Sequence, residues 1–300
     1  MRTACVTAKT RALTIGAGDI GIFSRIGQFE DLAAVEIMGG QLADLTALAA
    51  YPGLQDLVLD KVQITDPSAL SQLTGLNRLV VIGVPDLDLR LISGLLGLRE
   101  LKLIGQQAPD LEPLSGLSQL RMLELYQSQI GDYGALSRLQ GLQGLGLSET
   151  NIVDLSPVSA LIELREIALV DTKVVDISPL AGNTKLYSLL MDKTKVTDLT
   201  PISGLVNMLH LEVDQNATPD ISALAGMTKL ERLDLKDTQI KDIMPLTGLV
   251  NLKLVNLSGT GVTDLSPLAG AKDLYSLDVT NTAVTDLSPL QSREGLKIKQ

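Results

Sequence analysis

The chain has 300 residues, 45% of them hydrophobic, yet only two Phe and five Tyr contribute and Trp is absent, so the apolar matter is aliphatic. A formal net charge of −10 argues against nucleic acid as a partner, because phosphate binding depends on a Lys/Arg surplus. The lone Cys5 excludes an internal disulfide framework and a cysteine-based zinc site.

The N-terminal stretch MRTACVTAKTRALTIGAGD has no apolar run long enough for the middle of a signal peptide, and no later segment is long and apolar enough to span a membrane. The expectation is a soluble chain, cytoplasmic or secreted after removal of a leader. Gly16-Ala-Gly18-Asp-Ile-Gly21 matches the letters of a dinucleotide-binding loop, but no βαβ unit follows, and the glycines are read as turn residues.

From Leu32 onward the chain repeats. Rows of 22 residues begin at Leu32, Leu54, Leu76 and so on to Leu274, with Met208 the one non-leucine start, and a degenerate row opens at Thr10. The consensus is LxxLxLxxTx[VI]xD[LI]xPLxGLxx, and VTDLSP recurs unchanged at Val262 and Val284. About thirteen rows then cover residues 10–295, and the whole of 1–300 reads as a single domain. Within each row LxLxx alternates with period two, which predicts a short strand with its leucines inward. D-[LI]-x-P-L predicts a tight or 3-10 turn on the return side. Stacked rows pair their strands in parallel and bury together what one row cannot bury alone. Leu296 would open a further row, and the ends are expected either to carry improvised caps or to associate end to end.

These rows resemble the leucine-rich-repeat family in its 22-residue, internalin-like form. LERLDLKDTQIKDIMPLTGLVN from Leu230 and LKLVNLSGTGVTDLSPLAGAKD from Leu252 carry the resemblance most closely. It implies a β-rich α/β solenoid, a right-handed superhelix with a parallel sheet on its concave side and turns or 3-10 segments on its convex side. It also implies a bacterial origin. Where internalin-like rows carry Asn after the strand, this chain carries Thr150, Thr172, Thr194, Thr238, Thr260 and Thr282, with Asn only at 216. A threonine hydroxyl can still bond the turn backbone. The same column reads Gly18, Gly40, Val62, Val84, Gln106 and Ser128 in the first half, where weaker hydrogen-bonded regularity is expected.

One aspartate per row, from Asp44 to Asp286, forms a column of twelve. A ladder for calcium or acid/base chemistry would need dissimilar groups converging, whereas this column repeats a single group. Each aspartate is instead expected to accept the exposed N–H groups of its turn, as a helix N-cap does, with a proline that needs no N–H partner following three places later. Without this column 23 acidic residues face 25 basic ones, so the net charge is mostly construction.

Row-specific information lies in the residues beside the strand leucines, on the concave face. Val58, Val80, Ile82, Ile104, Met122 and Tyr126 are the candidate protein-binding residues of the first half. Ile82, Ile104 and Tyr126 share one outward position on successive rows and form an apolar stripe edged by Lys102 and Glu124. Asp192, Glu212, Asp214 and Asp234 form a second surface that could orient a basic segment or, through Asp192 and Asp214, a cation. His210, Arg232 and Lys236 stand beside them, and His210, the only histidine, is read as a surface residue. Asn216-Ala-Thr218 and Asn256-Leu-Ser258 match the glycosylation pattern.

No catalytic motif, cofactor or metal set is readable. The expected function is non-enzymatic binding of another protein on the sheet face. The chain is then either an internalin-type adhesin or effector that recognises a host protein, or an intracellular regulatory or immunity-type subunit.

Overall fold

The computed structural model describes residues 11–19, 21, 31–108, 110–291 and 293–300. Cys5 and Thr10 lie outside them. Contacts group the chain into two compact units, Met1–Leu142 and Gln143–Gln300. Among the described residues the strands of each unit pair in parallel, and within each unit their spatial order is their order in the chain. With 3-10 turns on the return path, this is a leucine-rich-repeat solenoid.

In the first unit the strands Asp56–Asp60, Arg78–Ile82 and Glu100–Ile104 are five residues long. Each pairs with the strand of the next row at a shift of 22 residues, so that Leu57, Leu79, Leu101 and Leu123 follow one another in register. The side-chain period of two sets that register. Leu57, Leu59, Leu79, Leu101 and Leu103 are fully buried, and a slip of one residue would turn all of them into water. On the return path Gln41–Asp44 pairs with Gln63–Asp66, and Gln107–Ala108 with Gln129–Ile130. The row between these ribbons has Pro85, which lacks an N–H. Its carbonyl accepts from Gln107 N–H at 2.8 Å, and the Gln106 side chain reaches Leu87 O at 2.9 Å.

In the second unit eight strands of three residues run from Gly144–Gly146 to Lys297–Lys299. The shift stays at 22 until Ser276, which pairs with Lys297, a step of 21. The sequence expectation that Leu296 opens the next row is therefore off by one. A strict repeat would place Lys299 opposite the buried Leu277; the shorter step puts Ile298 there and leaves both lysines outward.

Every aspartate of the column from Asp44 to Asp286 accepts, through Oδ1, the N–H two residues on, at 2.7–2.9 Å. Ser156, Ser178, Ser222 and Ser266 add hydroxyl donors to the same carboxylates. Each row's turn thus opens on a satisfied donor. The Thr column also bonds its turn. Thr150, Thr172, Thr238, Thr260 and Thr282 donate their hydroxyls to the carbonyl three residues back at 2.6–2.7 Å. Asn216 works between rows instead, donating to Met191 O at 2.9 Å and accepting Thr194 N–H at 2.8 Å. Ser128 does the same in the first unit, donating to Leu103 O at 3.1 Å and accepting Gln106 N–H at 3.0 Å. In that half of the column only Gln106 and Ser128 carry side-chain donors, since Gly18, Gly40, Val62 and Val84 have none.

After the strand most rows pass through a left-handed residue. Lys61, Gln127, Glu149, Asp171, Lys193, Gln215, Asp237 and Asn281 have φ of 53–58°, and glycines 39, 83, 105 and 259 take the same place. The N–H of this residue continues the ladder beyond the strand, as from Lys61 to Ile82 O at 2.7 Å and from Gly259 to Thr280 O at 2.8 Å. At Gly259 a Cβ would also collide with Asp237 Oδ1.

A few core positions break the aliphatic rule, Thr218 in the slot of Val196 and Ile240 among them. Asn183 occupies the slot of Leu161 and Leu205 and is fully buried. Its Nδ2 donates to Leu161 O at 2.7 Å, while its Oδ1 has no partner. Arg293 stands in the same column and donates to Leu268 O and Ala269 O at 2.7 and 2.8 Å, as well as to Ala271 O.

Two predictions follow from this frame. Asn183→Leu removes an unpaired buried oxygen and installs the side chain that Leu161 and Leu205 have in the same slot, and is expected to stabilise the protein by about 1–2 kcal/mol in urea denaturation. The turn carboxylates of Asp66, Asp88, Asp154, Asp198, Asp264 and Asp286 are held below the usual range by hydrogen bonds from the residue two places on. Their contribution is complete above the unfolded value near about 4 and is lost as pH falls through the lower folded values. The urea midpoint should fall on acidification below about pH 4, and replacing these six with Asn, which keeps an acceptor, should flatten that fall.

Candidate functional site

The solvent face of the sheet in the first unit is built from three columns of side chains. One runs Ala34, Asp56, Arg78, Glu100 and Met122; the next runs Glu36, Val58, Val80, Lys102 and Glu124. The third begins with Met38, Asp60, Ile82 and Ile104. Tyr126 follows one row later, its carbonyl accepting Gly105 N–H at 2.9 Å.

Charge occupies the first two columns as an alternating chain. Arg78 pairs with Asp56 at 2.8 Å and Glu100 at 3.0 Å, and Lys102 pairs with Glu124 at 2.8 Å and Glu100 at 3.7 Å. Such half-exposed pairs contribute little stability singly, but they fix the long side chains across the face. The expected stripe stands beside them. Ile82 and Ile104 are in register and half-buried, and Tyr126 is 38% exposed.

The remaining sequence candidates divide. Val58 is half-buried, but Val80 is only 4% exposed, between Val58 and Lys102 in register. Of the sequence candidates it is the one that offers a partner almost no surface of its own. Met122 lies in the Arg78 column, across the ion pairs from Ile82. Met38, missed in the sequence, is 44% exposed and extends the stripe column. The available signal was its position two rows before Ile82.

In the second unit Asp192, Glu212, Asp214 and Asp234 do come together. Asp192 Oδ1 accepts Asp214 N–H at 2.8 Å. Asp234 accepts Lys236 N–H and Asn256 Nδ2, both at 3.0 Å, and Glu212 pairs with Arg232 at 2.8 Å. Among the described residues no lysine or arginine forms an ion pair with Asp192 or Asp214, and one oxygen of Asp214 is buried without a partner there. Burial pushes the Asp192 carboxyl up to about 6; Glu212, Asp214 and Asp234 add repulsion, and the Asp214 N–H opposes it. Burial also raises Asp214, with Lys236 pulling it down.

Leu190, His210, Glu212, Arg232, Leu254 and Tyr275 line a neighbouring depression of about 380 Å³. A larger hollow of about 810 Å³ lies on the turn side of the first unit around Asp88, Arg90 and Asp110. Two of its carboxylates are committed, Asp88 to Arg90 and Asp110 to the Glu112 N–H. Among the described residues no three His, Cys, Asp or Glu side chains could jointly hold a metal ion. No described helix is long and apolar enough to cross a membrane. Asn216 is 1% exposed with its amide engaged, so the folded chain offers no glycosylation acceptor there.

The fold is that of the internalin-like leucine-rich repeat. An internalin, InlF, from Listeria monocytogenes is similar over 95% of this chain and 94% of its own, at 25% identity and a TM-score of 0.80. Internalin C2 from the same species is 28% identical over 72% of this chain and 93% of its own, with a TM-score of 0.60. The leucine-rich-repeat ectodomain of a receptor kinase from Arabidopsis thaliana, solved in complex with Casparian strip integrity factor 2, shares the fold alone. It is 17% identical over 96% of this chain and 40% of its own, with a TM-score of 0.72. No family model and no curated protein matches the sequence.

The acidic cluster generates a pH prediction. Asp192 is raised to about 6 in the folded state, above the value near about 4 of an unfolded chain. Its stabilising share is therefore present below about pH 4 and is lost as pH rises through about 6. Asp192→Asn keeps the acceptor for Asp214 N–H. It should leave stability unchanged near pH 4 and raise it by about 1–2 kcal/mol at pH 7–8 in urea titrations.

Proposed function

We propose that the chain is a non-enzymatic binding module in which a partner protein is anchored on the sheet face of the first unit by Ile82, Ile104 and Tyr126. The observation that carries this reading is the register. Ile82 and Ile104 sit side by side at an outward position, with exposed Tyr126 on the next row, although the inward leucines already complete the core. Apolar side chains fixed on a rigid sheet and bordered by charge form the kind of anchor around which binding energy concentrates. Val58, Met38 and Met122 widen the apolar surface.

Asp192, Glu212, Asp214 and Asp234 of the second unit serve as a further surface that attracts a basic region of a partner, since Asp192 and Asp214 form no ion pair among the described residues. The neighbours support a protein ligand in general terms, one of them having been solved with a bound factor. An internalin-type role toward a host protein is the particular form that InlF and internalin C2 favour.

The test is affinity capture from cell lysates of the source and of its host, comparing the native chain with Ile82→Asp/Ile104→Asp/Tyr126→Asp shown by circular dichroism to be folded. The triple variant is expected to lose the captured protein, with affinity falling at least about a hundredfold. Undiminished capture would place binding elsewhere.

A further inference from the structure

The stripe column is apolar except at one place. Asp60 lies in register between Met38 and Ile82. It is half-buried, and among the described residues its carboxylate has no hydrogen-bond or ion-pair partner, although its backbone carbonyl accepts Gly39 N–H at 2.8 Å. Among the described residues its chain neighbour Lys61 forms no ion pair with it, and the Lys61 side chain leans over Gly83, with Cγ 3.1 Å from where a Cβ would stand.

Elsewhere on this face the cations are taken. Arg78 is held by Asp56 and Glu100, and Lys102 by Glu100 and Glu124. Glu36 accepts the Thr14 hydroxyl at 2.9 Å. In the three columns five acids, Glu36, Asp56, Asp60, Glu100 and Glu124, thus meet two cations, Arg78 and Lys102.

A partner that covers Ile82 and Ile104 also covers Asp60. Burying a carboxylate without a donor costs several kcal/mol, enough to cancel the gain from an apolar anchor. A purely apolar partner is therefore disfavoured, and an acidic one is repelled by the whole face. We infer that the occupant of this face is a protein segment presenting a Lys or Arg to Asp60 with an aliphatic or aromatic side chain on Ile82, Ile104 and Tyr126. The inference rests on the proposed binding role of this face and adds the chemistry of what binds there.

Spacing narrows it further. Asp60 and Ile104 are two rows apart, on the order of 10 Å at the usual strand separation. An extended segment crossing the strands advances about 3.3 Å per residue, so its cation and its apolar anchor stand two to four residues apart.

The experiment sorts a phage-displayed random peptide library against the native chain, and then measures selected peptides on folded variants. Enriched peptides are expected to carry Lys or Arg two to four residues from an aliphatic or aromatic residue. Their affinity should fall about tenfold or more with Asp60→Asn and be lost with Asp60→Lys. Exchanging the peptide's cation for Glu should restore binding to Asp60→Lys. Ile82→Thr, which suits a strand, and Ile82→Asp should both weaken binding.

Peptides lost on Ile82→Asp but indifferent to Asp60→Asn, with no basic residue in common, would overturn the charge assignment while leaving the face as the binding surface. Peptides indifferent to both positions would overturn the face as well. A library that yields no binder dependent on Ile82 would do the same.

Discussion

Everything in this protein depends on one constraint: a row of 22 residues cannot bury its own leucines or satisfy its own strand backbone. Leu101, for instance, is covered because Leu79 and Leu123 stand in register on either side, and the polar groups between them bond across rows. The stabilising unit is thus the interface between consecutive rows. That is why the spacing is kept so strictly, and why the one departure, at Lys297, is the departure that keeps a lysine out of the core.

Keeping the spacing requires the chain to turn at the same points in every row, and each turn is secured by a repeated device. The left-handed residue after the strand extends the ladder by one more inter-row bond. The Thr or Asn behind it ties the turn back to the strand. The aspartate opens the return segment by accepting its N–H. Because these three devices sit off the sheet face, the outward strand positions are released from structural duty. They can differ from row to row without disturbing the stack, and differences there are where a partner can be specified.

The parts that were legible in the sequence are those that repeat with one residue type. The aspartate column announced its own role, since twelve copies of one group make a scaffold and not an active centre. The threonine column was legible for the same reason. The left-handed column was not, because Lys, Gln, Glu, Asp, Asn and Gly all occupy it and only the backbone has a common requirement. The face was legible in part. Alternation told that Ile82 and Ile104 point outward, but could not tell that Val80, equally outward, is covered to 4% exposure beneath its charged neighbours. The chain's dependence on packing between rows hides such coverage from any reading made one row at a time.

The net charge shows the same separation of roles. The formal charge of −10 is largely accounted for by the turn aspartates, whose carboxylates are occupied by backbone donors, so the total says little about what binds. What a partner meets is local: a column in which Met38, Ile82 and Ile104 are interrupted by a single unpaired carboxylate, beside ion pairs that have no cation to spare. A weak apolar stripe alone would accept many surfaces. With Asp60 inside it, the same stripe rejects those that bring no donor, because the cost of covering that carboxylate rises with every contact that excludes water. Affinity and selectivity on this face therefore come from adjacent residues of one column, and neither is visible in the composition of the chain as a whole.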